Sequence, residues 1–279
     1  MIETLQPGLY IVATPIGNLQ DITFRAVDVL KRADAIAAED SRVTAKLLNH
    51  LEIRKPIIRY DDHSDAETRA RVVERLGSEA IALVSDAGTP LISDPGYKLV
   101  REAKAAGHYV TTLPGPSAAI AALTLSGLPT DRFLFAGFLP AKAKARDDAI
   151  TELKPLLASI VLYESGPRLG KTLAALAGGL GNREAAVVRE ISKRFEESAT
   201  GTLADLADRY ADAPPKGEIV IVIGPPGEAE APDDEAIDAA LAEALNRLAP
   251  GKAAAEVAGR FGLKRGDLYD RALALKESR

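Results

Sequence analysis

Apolar positions in this chain recur in two rhythms that alternate as far as residue 223. Short runs with little polar interruption, Leu9-Tyr10-Ile11-Val12-Ala13, Ala35-Ile36-Ala37-Ala38, Ile81-Ala82-Leu83-Val84 and Tyr109-Val110-Thr111-Thr112-Leu113, predict buried strands. Between them the period lengthens: Phe24, Val27 and Leu30 share one face of a helix expected over Thr23 to Ala33. Asp40-Ser41 caps a helix expected to run to Leu51, and Asp65 one expected to run to Leu76. Strands that alternate with helices need crossover connections, which give a mostly parallel sheet covered on both faces.

After a sharp turn at Pro114-Gly115-Pro116 and an Ala-rich helix from Ser117 to about Ser126, the alternation repeats. Phe133-Leu134-Phe135, Ile160-Val161-Leu162-Tyr163, Ala185-Ala186-Val187-Val188 and Ile219-Val220-Ile221-Val222-Ile223 read as strands, and Gly224-Pro225-Pro226-Gly227 stops the pattern. The rest is helical: Asp233 to Leu248, Lys252 to Phe261 and Asp267 to Lys276. The last pair, joined across residues 262–266, has helix-turn-helix proportions. The expected fold class is α/β, with two α/β domains of mostly parallel sheets over 1–116 and 117–226. A linker and small C-terminal helical region follow over 227–279.

Composition narrows the chemistry. The 279 residues include no Cys, which removes disulfides, thiolate metal sites and cysteine nucleophiles. No His pair among His50, His63 and His108 has helical ligand spacing, so no metal site is expected. The N-terminal residues lack the pattern of a signal peptide, and no apolar run approaches the roughly 20 residues of a membrane span, so a cytoplasmic location away from membranes is expected. A net charge of −5 argues against coating nucleic acid by charge alone. Seven acids and no Lys or Arg lie between Gly227 and Asn246, whereas Lys252 to Arg279 carries seven basic residues against four acids. Such runs are usually solvated faces.

Three catalytic templates fail. Gly170-Lys171-Thr172 ends like a phosphate loop, but Ser165 stands where that loop needs its first Gly. Gly115-Pro116-Ser117-Ala118-Ala119 resembles a nucleophile elbow without an identifiable His base, and no G-x-G-x-x-G follows the first strand. What remains is a set of small-residue turns where strands end: Ala13 to Leu19, Ala38 to Arg42, the dense loop Val84 to Gly96, and Pro114 to Ala118. In open α/β sheets ligands sit at the carboxyl ends of the strands, where these turns fall.

These segments resemble the class III, tetrapyrrole-methylase-like S-adenosylmethionine enzymes, and within them the branch that modifies small-subunit ribosomal RNA. The likeness extends through Ser126 to Phe133, Gly137-Phe138-Leu139-Pro140, Tyr163-Glu164-Ser165, Arg189 to Lys193 and Lys216-Gly217-Glu218. Ser41 and Ser192 stand where Thr is expected, and both keep a hydroxyl. The resemblance implies 2′-O-methylation of a cytidine ribose in the decoding region of 16S ribosomal RNA, with 16S RNA or the small ribosomal subunit as partner, and a homodimer. The alternatives are a small-molecule (tetrapyrrole) methylase and, from another class, a nucleotide hydrolase. It implies S-adenosylmethionine in a cleft between the two domains, against Pro15, Gly17, Asp86, Ala87, Gly88, Thr89, Pro90, Ser117, Ala118, Leu128 and Tyr163. Either Asp86 or Asp94 suits the methionine ammonium or a ribose hydroxyl, with Asp86 the expected ligand-facing group. Glu39, Arg42 and His63 are the candidate catalytic groups beside the acceptor, while Asp40 is as readily a helix cap. For the RNA grip the candidates are Lys142, Lys144 and Arg146, the tail residues Lys264 and Arg265, and a group at Arg189, Lys193 and Arg194.

Overall fold

The structure is a computed structural model that describes residues 4–61, 66–227, 234–261 and 263–277. The chain forms two compact units, one ending at Pro225 and one beginning at Pro226.

The first unit opens with five strands, β1 (Gly8–Val12), β2 (Ala35–Ala38), β3 (Ile57–Arg59), β4 (Ala80–Val84) and β5 (Val110–Leu113), in the order β3-β2-β4-β1-β5. Every pairing in this sheet is parallel, as the alternation with α1 (Phe24–Arg32), α2 (Ser41–His50), α3 (Ala66–Arg75) and α4 (Tyr97–Ala105) requires. Successive residues feed opposite faces: Ala80, Ala82 and Val84 of β4 enter one core with Tyr10, Val12, Ile36 and Leu30, while Ile81 and Leu83 enter another with Leu9, Leu76 and Leu99. Thr23, expected inside its helix, instead caps α1 by accepting from the Ala26 N–H, and Asp40 caps α2 as expected by accepting from the Arg42 N–H. Asp65, the expected cap of α3, lies outside the described residues.

Helix α5 (Ala118–Leu125) leads into β6 (Phe133–Phe138), α6 (Ala143–Leu153), β7 (Ser159–Ser165), α7 (Leu169–Leu180), β8 (Glu184–Arg189), β9 (Glu197–Thr202), α8 (Leu203–Arg209) and β10 (Glu218–Ile223). Ile219, Ile221 and Ile223 of β10 face the core built with α7, whereas Val220 and Val222 face Ala119, Ala122 and Leu123 of α5. The expectation of mostly parallel pairing fails in this second sheet, ordered β6-β7-β10-β8-β9 and mixed: only β6 and β7 run parallel. For the β8–β9 pair the cause is connection length. The segment between β8 and β9 is too short for the crossover of a dozen or more residues that a parallel pair needs, so it folds back as a hairpin.

The phosphate-loop look-alike has a structural purpose. Gly170 packs on the next layer, where a Cβ would come within 2.6 Å of the Tyr210 carbonyl oxygen. Thr172 Oγ1 donates to the buried Glu164 carboxylate at 2.6 Å.

The second unit holds α9 (Asp234–Leu245), α10 (Pro250–Phe261) and α11 (Arg265–Glu277), packed through Ile237, Leu241, Ala254, Val257, Leu268 and Ala272. Part of the acidic run is engaged here, since Arg271 of α11 clamps Asp238 at 2.6 Å and Asp234 at 2.5 Å. Glu228, Glu230, Asp233 and Gly262 lie outside the described residues. Among those described, no helix is long and apolar enough to cross a membrane.

Candidate functional site

The small-residue turns are laced together at the carboxyl edge of the first sheet. Thr14 and Gly88 exchange backbone hydrogen bonds, 2.9 Å from the Thr14 N–H and 3.1 Å from the Gly88 N–H. The Thr14 hydroxyl donates to the Ser85 carbonyl at 3.2 Å, and the Ser85 hydroxyl donates to the Gly88 carbonyl at 3.2 Å. Thr89 Oγ1 reaches the Pro116 carbonyl at 2.9 Å, tying the loop after β4 to the turn after β5. Gly88 has φ +83°, in the left-handed region where a side chain is strained.

Two segments carry this edge against the second sheet. Gly17 sits where a Cβ would lie 2.5 Å from Lys193 Cγ and 2.9 Å from the Ile191 carbonyl oxygen, so the approach requires glycine. Four residues later, Asp21 accepts a hydrogen bond from the Ser192 hydroxyl.

Between these elements lies a cleft of about 360 Å³. It brings together Ala87, Gly88, Thr89, Ser117, Ala118 and Tyr163 of the expected cofactor residues. Ile16 lines it from between Pro15 and Gly17. Leu128 instead packs in the core beneath α5, and neither it nor Pro90 lines the cleft. Asp94, with Ser93 and Ile92 beside it, is at the cleft, whereas Asp86 and Pro15 line a neighbouring recess of about 210 Å³ with Leu19, Val43, Lys46 and Leu47. Asp86 Oδ1 accepts from the Asp40 N–H at 3.2 Å, which ties the third loop to the second turn.

The other wall of the cleft includes Phe138, Ile191, Glu218, Ile219 and Val220. Tyr163 belongs to the same wall, with ring centroids 4.8 Å from Phe135 and 5.5 Å from Phe138. Burial pushes the Tyr163 phenol above its usual range, against a hydrogen bond from the Ala119 backbone and with Asp94 and Glu218 adding to the rise. The phenol therefore stays neutral, with two carboxylates beside it. Glu218 also holds Lys193 Nζ at 2.9 Å, and Glu190 holds it at 3.0 Å. That ammonium keeps the Glu190 carboxyl below the usual range. Four non-glycine residues in the two loops bordering the cleft take left-handed φ: Leu91 (74°), Ser93 (62°), Glu190 (49°) and Ser192 (67°). Backbone strain of this kind persists where the surroundings over-determine it, and it clusters at ligand clamps.

The expected catalytic groups are placed as follows. Glu39 is half-buried at the end of β2. The Arg42 side chain, 86% exposed, pairs with Asp40 at 2.6 Å. His63 lies outside the described residues. Among the basic groups, Lys142, Lys144, Lys264 and Arg265 are exposed. The Arg146 side chain is only 18% exposed and lies 3.7 Å from Asp147, so it does not stand out as a phosphate contact. Arg189 is held by Glu197 at 2.6 Å and Lys193 by two carboxylates, which leaves Arg194 of that group projecting.

A family model described as Tetrapyrrole (Corrin/Porphyrin) Methylases matches residues 8–207, which cover the first sheet and every strand of the second except β10. The fold agrees: a diphthine synthase superposes with a TM-score of 0.61 at 17% identity over 77% of this chain and 89% of that one. Uroporphyrin-III-C-methyltransferase from Thermus thermophilus gives 0.56 at 19% over 78% and 94%. A model described as RsmI C-terminal HTH domain matches residues 230–276. The ribosomal RNA small subunit methyltransferase I of Erythrobacter litoralis is 59% identical over 98% of this chain and 97% of that protein, and that of Mesorhizobium japonicum 48% over 98% and 94%. The chain belongs to the ribosomal RNA small subunit methyltransferase I family.

Proposed function

We propose that this chain transfers a methyl group from S-adenosylmethionine to the 2′-hydroxyl of a cytidine ribose in the decoding region of 16S ribosomal RNA. The observation that carries this is end-to-end identity to relatives named for small-subunit ribosomal RNA methylation, the C-terminal helices included. The partner is 16S RNA or the small ribosomal subunit, the location is cytoplasmic and the assembly is a homodimer. Residues 1–116 and 117–226 act as two lobes around the cleft, with 227–279 as an RNA-facing appendage.

The cleft suits the methyl donor. Its volume falls in the range of ligand sites, roughly 300–1,000 Å³, and Ala87, Gly88 and Ala118 let a ligand approach the main chain. Asp94 and Glu218 supply negative charge for a ligand bearing an ammonium and a sulfonium. Bound there, S-adenosylmethionine supplies an electrophilic methyl for in-line displacement, with no metal and no enzyme-bound intermediate. The rest falls to positioning, because two reactants fixed in line avoid much of the entropic barrier. The ribose hydroxyl is a weak acid, so its proton must leave as the oxygen attacks. In this reading Glu39 accepts that proton and Arg42 favours the alkoxide. Alanine at either position then lowers turnover at least tenfold and leaves cofactor affinity unchanged; unchanged turnover would remove both from the chemistry.

The test of the function itself is incubation with labelled S-adenosylmethionine and small ribosomal subunits from cells lacking this activity. Label in 16S RNA, with a reverse-transcription pause at one decoding-region cytidine, establishes reaction and target together. Tight cofactor binding without incorporation into subunits or free RNA would transfer the search to small-molecule acceptors.

A further inference from the structure

Two exposed aromatic rings flank the place where the first turn docks on the loop between β8 and β9. Phe24 is 97% exposed at the start of α1, and Phe195 is 64% exposed in that loop. Each stands three residues beyond one partner of the Asp21–Ser192 hydrogen bond. Three residues span at most about 11 Å of chain, so the backbone of each aromatic residue lies within about that distance of the cross-link. The same two segments enter the cleft a few residues earlier, through Ile16 and Ile191.

The junction is stiff. The Lys193 N–H donates to the Glu190 carbonyl at 3.0 Å, the Glu196 N–H to the Lys193 carbonyl at 3.2 Å, and the Ser192 N–H to the Glu196 carboxylate at 2.6 Å. Left-handed φ at Glu190 and Ser192 closes the turn. An aromatic held in water on a strained, cross-linked turn loses little further freedom when something stacks on it. Charge adds to this. The Arg194 guanidinium lies over the Phe195 ring, 5.5 Å from its centroid, and has no carboxylate partner among the described residues. Arg25, next to Phe24, is anchored through the Thr112 carbonyl at 3.2 Å.

Rings that stack on any base, paired with cations that neutralise phosphate, are the elements by which proteins hold unpaired RNA. We propose that Phe24, Phe195 and Arg194 form a stacking platform for the unpaired bases flanking the target nucleotide, holding the strand so that its ribose enters the cleft. The inference rests on the RNA-methylating reading and adds to it where the strand is gripped. Lys193, neutralised by Glu190 and Glu218, shapes the turn and leaves the phosphate to Arg194.

The test compares the wild type with three double variants: Phe24→Ala with Phe195→Ala, and the same pair changed to Tyr or to Leu. The readouts are S-adenosylmethionine affinity by calorimetry, methylation of unmodified small subunits, binding of a fluorescent decoding-region RNA, and oligomeric state by sedimentation. The expected result for the alanine pair is unchanged cofactor affinity and sedimentation, with KM for subunits and Kd for the RNA raised about tenfold or more. Tyrosine restores both and leucine does not, because stacking needs a π face. Unchanged KM and Kd, full rescue by leucine, or a loss that tracks a changed oligomeric state would overturn the platform, the last pointing to a second copy on this surface. A wild type that neither methylates nor binds RNA would remove the underlying reading as well, whereas an active wild type matched by the alanine pair would remove the platform alone.

Discussion

On the side of the first sheet the cleft is walled by Ala87, Gly88 and Thr89, residues with little side chain, together with Ile16 and Asp94; the turn into α5 adds Ser117 and Ala118, while the opposite side presents Phe138, Tyr163, Ile191, Glu218 and Val220. The first wall is for the most part backbone, whose shape is fixed from behind by the Thr14–Gly88 bridge, the Ser85 hydroxyl and the Thr89–Pro116 bond. The second is made of side chains standing on strands and on one strained turn. A backbone wall admits a ligand only as long as nothing is added to it. A side-chain wall changes by increments, since each group can be trimmed while its neighbours remain packed. The difference lies in what each wall offers the ligand: main-chain groups, close approach and the Asp94 carboxylate on one side, apolar area and the Glu218 carboxylate on the other.

The sharpest way to break that comparison is to put a side chain on the backbone wall. In Gly88→Val the new Cβ would lie 3.2 Å from Ile16 Cγ2 while the residue keeps φ +83°. Left-handed strain at a non-glycine residue costs about 1–3 kcal/mol. We expect S-adenosylmethionine affinity to fall at least tenfold by calorimetry, with Tm lowered by several degrees. Wild-type affinity in a folded Gly88→Val protein would mean that the ligand does not touch this wall.

Trimming the opposite wall should do less. Tyr163→Phe removes one hydroxyl and leaves the ring against Phe135 and Phe138. The phenol is neutral, so the loss is that of an ordinary hydrogen bond, about 0.5–1.5 kcal/mol. Cofactor affinity is expected to weaken by a factor of about 3–10, with Tm nearly unchanged. A loss as large as that of Gly88→Val would show that the second wall is no more tolerant than the first.

The two walls also differ in how readily their sequences announce them. The central strands of the first sheet are legible because both of their faces are buried, and the turns because Gly and Pro crowd where strands stop. Edge strands are harder. Glu197 to Thr202 forms β9, yet only Ala199 in it is buried, so neither a continuous apolar run nor a regular alternation marks it. Asp86 and Asp94 share one loop and one chemistry, and only the path of the chain through Leu91 and Ser93 sends the second to the cleft and the first to the recess beside α2. Ile191 was hidden for a related reason: the left-handed residues on either side of it are Glu and Ser, which give no glycine signal. Phe138 and Glu218 stood in segments that carried the family resemblance, but nothing local marked them as cleft residues. The Asp21–Ser192 bond joins positions 171 residues apart and has no sequence signature.

The smallest effect belongs to a charged turn of the first sheet that lines neither wall. Asp40 caps α2 through the Arg42 N–H at 2.8 Å and also holds the Arg42 side chain. The Arg42 guanidinium first, and the backbone N–H groups of the helix start after it, hold the Asp40 carboxyl well below the usual carboxylate range. A carboxyl depressed in the folded state stabilises the fold above its unfolded value, near 3.9, and loses that contribution as the pH falls toward the depressed value. The Tm gap between the wild type and Asp40→Ala should therefore be constant from about pH 5 to 8 and narrow below about pH 4. Because the turn is exposed the gap is small, and cofactor affinity at neutral pH stays at the wild-type level. A gap that instead widened on acidification would mean that Asp40 is protonated in the fold and caps nothing. A fall in cofactor affinity in Asp40→Ala would extend the ligand-binding surface from the backbone wall to the second turn, through the Asp40 N–H to Asp86 bond.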